Sequence, residues 1–253
     1  MPAKTFRKIP ATVVTGFLGS GKTTLIRHLL ENNRGRRIAL IINEFGDIGV
    51  DREVLKGCGA AMCDEGDIVE LANGCLCCTV ADEFIPVMER LAGRQDPPDH
   101  IVIETSGLAL PKPLVKAFHW PDIRSKVTVD GVVAVIDAAA VAGGRFTEDP
   151  KAQAAPDHDN PLEEVFTDQI QCADLVLLNK SDLLTPESLT AVESDLGRRL
   201  RSGVRMVATV HGRIDASILL GLDAAAEDDL HVRPSHHDGL DGHDHDDFVS
   251  FAV

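Results

Sequence analysis

Residues 16–23 read Gly-Phe-Leu-Gly-Ser-Gly-Lys-Thr, the spacing of a phosphate-binding loop, G-x-x-x-x-G-K-[ST]. The chemistry needs these residue types. Gly16, Gly19 and Gly21 let the backbone curl around Ser20 so that successive N–H groups point inward at phosphate oxygens. A helix predicted to open directly afterwards adds its N-terminal dipole. Lys22 is placed to reach the β- and γ-phosphates, the Thr23 hydroxyl to ligate Mg2+, and Thr24 to support the α-phosphate region.

Three further strand-end segments fit the same chemistry. Asn179-Lys180-Ser181-Asp182 follows an apolar run, in the order and place of a guanine reader. The Asp182 carboxylate accepts from the guanine ring N–H and exocyclic amine, the Lys180 stem lies along the base, and adenine would leave that carboxylate desolvated without partners. Residues 101–107, Ile-Val-Ile-Glu-Thr-Ser-Gly, end an apolar strand in an acid and a glycine, the form of a Walker B segment. Glu104 is expected to act on Mg2+ through water, and the Gly107 N–H to sense the γ-phosphate. Residues 43–49, Asn-Glu-Phe-Gly-Asp-Ile-Gly, suggest a switch in which Glu44 or Asp47 positions the attacking water or a metal; the sequence leaves both open.

Gly74-Cys75-Leu76-Cys77-Cys78-Thr79 brings three thiols within four residues. Cysteines at i, i+2 and i+3 can turn two or three thiolates to one side of a bent backbone, and thiolates are soft ligands for Zn2+, Cu+ and, less strongly, Co2+. A tetrahedral ion then takes its remaining donor from elsewhere or from a second subunit. A transition-metal site is favoured over a redox role, since C-x-x-C spacing occurs only between Cys75 and Cys78, and over simple burial. Cys58 and Cys63 are accessory ligands or buried thiols, with burial or chance favoured; Cys172 reads as core. Residues 236–247 hold four His and five Asp, either a weak multi-ion binder or a solvated spacer.

The elements that must carry these segments alternate. All-apolar runs at 38–42, 101–103, 132–136 and 175–178, with 11–15 and 205–210, predict strands; 23–30, 111–118 and 186–200 predict helices, the last two with proline near the start. The alternation predicts an α/β fold, a doubly wound, mostly parallel sheet with helices on both faces. Residues 143–160 read as a loop. The 253 residues, 44% hydrophobic, suffice for one large domain. A net charge of −15 disfavours nucleic acid and attracts cations. No 18-residue apolar run exists and residues 1–10 lack a signal-peptide pattern, so neither membrane nor export is expected and the cytoplasm is the default location.

The strings GFLGSGKTT, NEFGDIGVD, ELANGCLCCTV, ETSGLALPKPLVKAF and NKSD occur in the order of the CobW family of P-loop GTPases, and the chain resembles that family over residues 11–209. The resemblance implies a SIMIBI-type G domain with GTP and Mg2+ on residues 16–24, Glu104 and Asn179, Lys180 and Asp182. It implies a GTP-dependent metal chaperone whose C-x-C-C motif holds the cargo on Cys77 and Cys78, with Cys75 as a further ligand. Co2+ for cobalamin synthesis is the expected cargo, delivered to a metal-accepting protein such as a cobaltochelatase, with Zn2+ as the alternative. A GTP-regulated binding module stapled by a structural metal is the rival of another class. Expected organisation is a GTPase domain over 1–227, a His/Asp-rich linker over 228–247, and the start of a truncated C-terminal domain over 248–253. A monomer or a metal- or nucleotide-dependent dimer is expected.

Overall fold

The computed structural model describes residues 8–43, 68–71, 84–146 and 161–235. Within them the chain runs β1 (Ile9–Thr15), α1 (Lys22–Glu31), β2 (Ile38–Asn43), β3 (Ile68–Leu71), α2 (Ile85–Ala92), β4 (His100–Glu104), α3 (Pro111–Ala117), α4 (Pro121–Arg124) and β5 (Val127–Asp137). It continues with α5 (Ala138–Ala142), α6 (Pro161–Cys172), β6 (Leu175–Asn179), α7 (Pro186–Arg199), β7 (Arg205–Ala208) and α8 (Ala216–Leu219). The seven strands pair in the order β3-β2-β4-β1-β5-β6-β7, and every pair is parallel. This is the doubly wound architecture that the alternation predicted.

Parallel strands buried on both faces need apolar residues at every position, which is why their sequences show no alternation. Val13, Ile41, Ile101 and Ile103 face a core closed by α2, α3 and α4. Their neighbours Val14, Leu40, Ile42 and Val102 face the opposite core, closed by Leu25, Ile26, Leu29 and Leu30 of α1 and by Ala216 and Leu219 of α8. A third cluster joins Phe17, Ala134, Ile136, Val176 and Leu178 to Phe166 and Ile170 of α6 and to Val192 and Leu196 of α7. Cys172 is buried, and that burial pushes its thiol up to about 11. It belongs to the core, as expected.

Strand β5 is longer than the apolar run 132–136, and its pairing with β1 is interrupted by a bulge opposite Ala11 and Thr12. The bulge re-aims Asp130, whose carboxylate accepts the N–H groups of Gly221 (2.8 Å), Leu222 (3.1 Å) and Asp223 (3.0 Å). The chain then reaches the first residues of β5. Glu227 accepts from Val129 N–H at 2.8 Å and from the Thr128 hydroxyl at 2.6 Å. Arg233, wholly buried, pairs with Asp174 at 2.8 Å and Asp229 at 2.7 Å and donates to the Cys172 carbonyl. Ser235 donates to Asp168 of α6 at 2.8 Å. Residues 228–235, read from composition as the start of a linker, are thus packed on the domain. Residues 236–253 lie outside the described residues.

Candidate functional site

In a parallel sheet all strands end on one side, and helices leave from there. The cleft where the connections diverge to opposite faces is where ligands bind. Here that cleft lies around β1, flanked by β4 and β5. The ends of β1, β4, β5 and β6 bring together the phosphate loop, Glu104, Asp137 and Asn179.

The loop between β1 and α1 has the geometry a phosphate requires. Gly16, Gly19 and Gly21 take φ of 138°, 78° and 103°, a region from which side chains are largely excluded. A Cβ on Gly16 would lie 2.1 Å from the Val135 carbonyl oxygen, and one on Gly21 would lie 2.3 Å from Asn179 Nδ2. A Cβ on Gly19 meets nothing within 4 Å, so the lip of the loop is open. Lys22 reaches back into the curl and donates to the carbonyls of Gly16 at 2.8 Å and Phe17 at 3.2 Å. Thr24 is exposed. The Ser20 hydroxyl is buried with no hydrogen-bond partner among the described residues. A cradle closed to side chains, an open lip and a cation aimed inward fit a polyphosphate.

Mg2+ requires hard oxygen donors. Thr23 donates its hydroxyl to Glu104 Oε1 at 3.2 Å, and Glu104 is 5% exposed at the end of β4. The donor set and its position beside the cradle fit the ion that accompanies a nucleoside triphosphate. Gly107 lies against the loop tip, where a Cβ would stand 2.7 Å from the Leu18 nitrogen.

On the other side of the loop, Asn179 is 2% exposed and all its contacts are internal. It donates to the Ser20 carbonyl at 2.9 Å and accepts from Gly212 N–H at 3.0 Å and the Thr209 hydroxyl at 3.3 Å. Asn179 therefore bolts the phosphate loop to the segment after β7. Lys180 adopts φ 59°, which turns the chain out of β6 into the short 3-10 helix Ser181–Leu183 and leaves Asp182 exposed. The Lys180 ammonium contacts Asp137 Oδ2 at 2.6 Å, and Asp137 Oδ1 caps α5 through Ala140 N–H at 2.9 Å. An exposed carboxylate beside a tethered lysine stem can accept two donors from a base edge.

The structure thus assembles Gly16, Gly19, Ser20, Gly21, Lys22, Thr23, Thr24, Glu104, Gly107, Asn179, Lys180 and Asp182 around one cleft. Glu44, Asp47, Cys58, Cys63, Cys75, Cys77 and Cys78 lie outside the described residues. Sequence reasoning missed Asp137, Thr209 and Gly212. Asp137 left a signal, an acid between an all-apolar strand and a helix. Gly212 left less: its φ of 63° and its place 2.8 Å (as a Cβ) from Leu25 Cα exist only once the chain returns across α1.

Fold and loop define a P-loop nucleotide-binding protein of the doubly wound class. The profile of the CobW/HypB/UreG nucleotide-binding domain matches residues 10–208. The chain belongs to that family, as a CobW-type P-loop GTPase. It is 57% identical to a zinc chaperone CobW of Sinorhizobium over 97% of this chain and 73% of that protein. It is 51% identical to a zinc chaperone CobW of Pseudomonas aeruginosa, over 94% of this chain and 66% of that one. The chain therefore spans about two thirds to three quarters of the length of these relatives. The crystal structure of Zn(II)-bound YjiA GTPase from E. coli superposes with a TM-score of 0.56 at 25% identity, over 86% of this chain and 62% of that one. No helix among the described residues is long and apolar enough to cross a membrane.

Proposed function

We propose that this chain hydrolyses GTP and uses the bound nucleotide to control a transition-metal site on Cys75, Cys77 and Cys78, from which the ion passes to an acceptor protein in the cytoplasm. The observation that carries the nucleotide half is the cleft itself, where the glycine cradle, the Thr23–Glu104 oxygens and the Asn179–Asp182 turn converge. Lys22 neutralises the β- and γ-phosphates, Thr23 and, through water, Glu104 would hold the Mg2+ that would supply charge stabilisation, and Glu44 or Asp47 orders water. Asp182 reads guanine.

The metal half is supported by the chemistry of three closely spaced thiols and by relatives named for zinc. Zinc is therefore the cargo we propose, ahead of the cobalt expected from the family resemblance. Thiolate sites also bind Zn2+ more tightly than Co2+. The motif begins four residues beyond Leu71, the last residue of β3, a strand parallel to β1. GTP orders the loop that carries it, and hydrolysis releases that order, a switch of the order–disorder kind.

Co2+ titrated into the protein serves as a spectroscopic probe. A thiolate charge-transfer band is expected with a non-hydrolysable GTP analogue and Mg2+, much weaker with GDP, and absent in Cys77→Ser/Cys78→Ser, which still binds GTP. Added Zn2+ should bleach the band at stoichiometric amounts. A band of equal strength with GDP points to a structural staple and sinks the chaperone reading. Resistance of the band to Zn2+ makes cobalt the cargo and a cobaltochelatase-type acceptor the partner.

A further inference from the structure

Gln169 lies in the last turn of α6 and is 2% exposed. With Phe17, Ile136, Phe166 and Ile170 it lines a small pocket beneath the phosphate loop. A buried amide in such surroundings is costly unless it is hydrogen-bonded, and leucine or methionine would fill the space without that cost. Its Nε2 donates to two carbonyls, Gly107 at 3.0 Å and Ala109 at 3.1 Å, in the turn that follows β4. The strand side of that turn is held separately. Thr105 N–H donates to the Val14 carbonyl at 3.0 Å, the Thr105 hydroxyl to the Thr15 hydroxyl at 3.1 Å, and Ala109 N–H closes the turn on Ser106 at 3.1 Å.

We propose that Gln169 is a positioning residue that sets the 106–109 turn for the γ-phosphate, and so makes the protein distinguish GTP from GDP. The inference rests on the GTP-binding reading above. Both bonds from Gln169 fall on carbonyls, so they fix the peptide planes of the turn without consuming its N–H donors. The turn abuts the tip of the phosphate loop, since a Cβ on Gly107 would stand 2.7 Å from the Leu18 nitrogen and 3.3 Å from its Cα. The glycine curl follows the phosphate chain and Lys22 serves its β- and γ-phosphates, and the turn stands beside them at the tip of the loop. Donors held in place before the ligand arrives pay no reorganisation cost when it does. GDP has nothing for them to bind, so the effect of Gln169 falls on GTP.

The test uses the full chain with Gln169→Met, which keeps length and removes the donors, and Gln169→Glu, whose carboxylate faces two carbonyl oxygens. Dissociation constants are measured with Mg2+ for GDP and for a non-hydrolysable GTP analogue. The analogue-to-GDP affinity ratio should fall about tenfold in Gln169→Met and further in Gln169→Glu, the scale of one or two lost hydrogen bonds. GDP affinity should stay within about twofold of wild type, and GTP turnover should drop. An unchanged ratio overturns the proposal, as does an equal loss for both nucleotides, which would make Gln169 an ordinary packing residue. The underlying reading is separated by the wild-type protein: if it binds neither nucleotide, the GTP assignment itself has failed.

Discussion

Replacing Asn179 with alanine tests whether the site is held together as described. The substitution removes one donor and one acceptor, and strands three partners in a buried place: the Ser20 carbonyl, Gly212 N–H and the Thr209 hydroxyl. A net hydrogen bond contributes about 1 kcal/mol, and a buried group left without a partner costs about as much or more. The sum is about 3 kcal/mol, which for a domain of this size lowers the melting temperature by roughly 6–12 °C. Nucleotide affinity should fall as well, because Ser20 belongs to the cradle and Gly212 packs on the first turn of α1. Asn179→Asp sharpens the test. It keeps both accepted bonds but sets a carboxylate against the Ser20 carbonyl, so it should bind nucleotide worse than its stability loss alone implies. Urea and thermal unfolding without nucleotide, followed by titration with fluorescent GDP, measure both effects. An Asn179→Ala protein that melts within about 1 °C of wild type and binds GDP normally would refute the bolt.

Two more expectations follow from the same geometry. Asp182→Asn exchanges an acceptor for a donor at an exposed base edge, so GTP affinity should drop roughly ten- to hundredfold and xanthine nucleotides should gain; an unchanged preference for GTP over XTP would show that Asp182 does not read the base. His100 is buried at the start of β4, with Nε2 2.8 Å from the Thr12 hydroxyl; burial lowers its pKa from 6.5 to about 4, with Asp130 pulling the other way and Arg36 adding to the fall. The unfolded chain therefore binds the proton first, and stability is full above pH 6.5 and declines as the pH falls toward 4. At pH 5 the loss is about 2 kcal/mol, from 1.36 kcal/mol per pH unit. Urea melts at pH 7.5 and pH 5 should show this loss in wild type and a reduced one in His100→Gln; equal slopes in both would refute the assignment.

Much of this protein is written locally. The phosphate loop is legible because its needs are local: glycines where φ must be positive, a lysine to reach back, a threonine at the helix start. Asn179 to Asp182 and Glu104 are legible for a similar reason, each a polar group directly after an all-apolar run that can only be a buried strand. Burial on both faces erases alternation, so those runs announce a parallel sheet. What the sequence could not determine depends on residues far apart in the chain. Strand β3 is four residues long and counts as a strand only because β2 lies beside it. The first half of β5 is hidden by Asp130, a charge in a strand that makes sense once three N–H groups from residues 221–223 meet it. Residues 228–235 read as polar spacer until Arg233 finds Asp174, 59 positions earlier. Asp137 and Gln169 carry no motif, because the fold alone brings their distant partners within 3.1 Å, Lys180 for Asp137 and the Gly107 and Ala109 carbonyls for Gln169. Local backbone chemistry specifies which atoms can meet a phosphate. The pairing of distant strands, driven by burial of their shared apolar surface, decides which side chains hold those atoms in place.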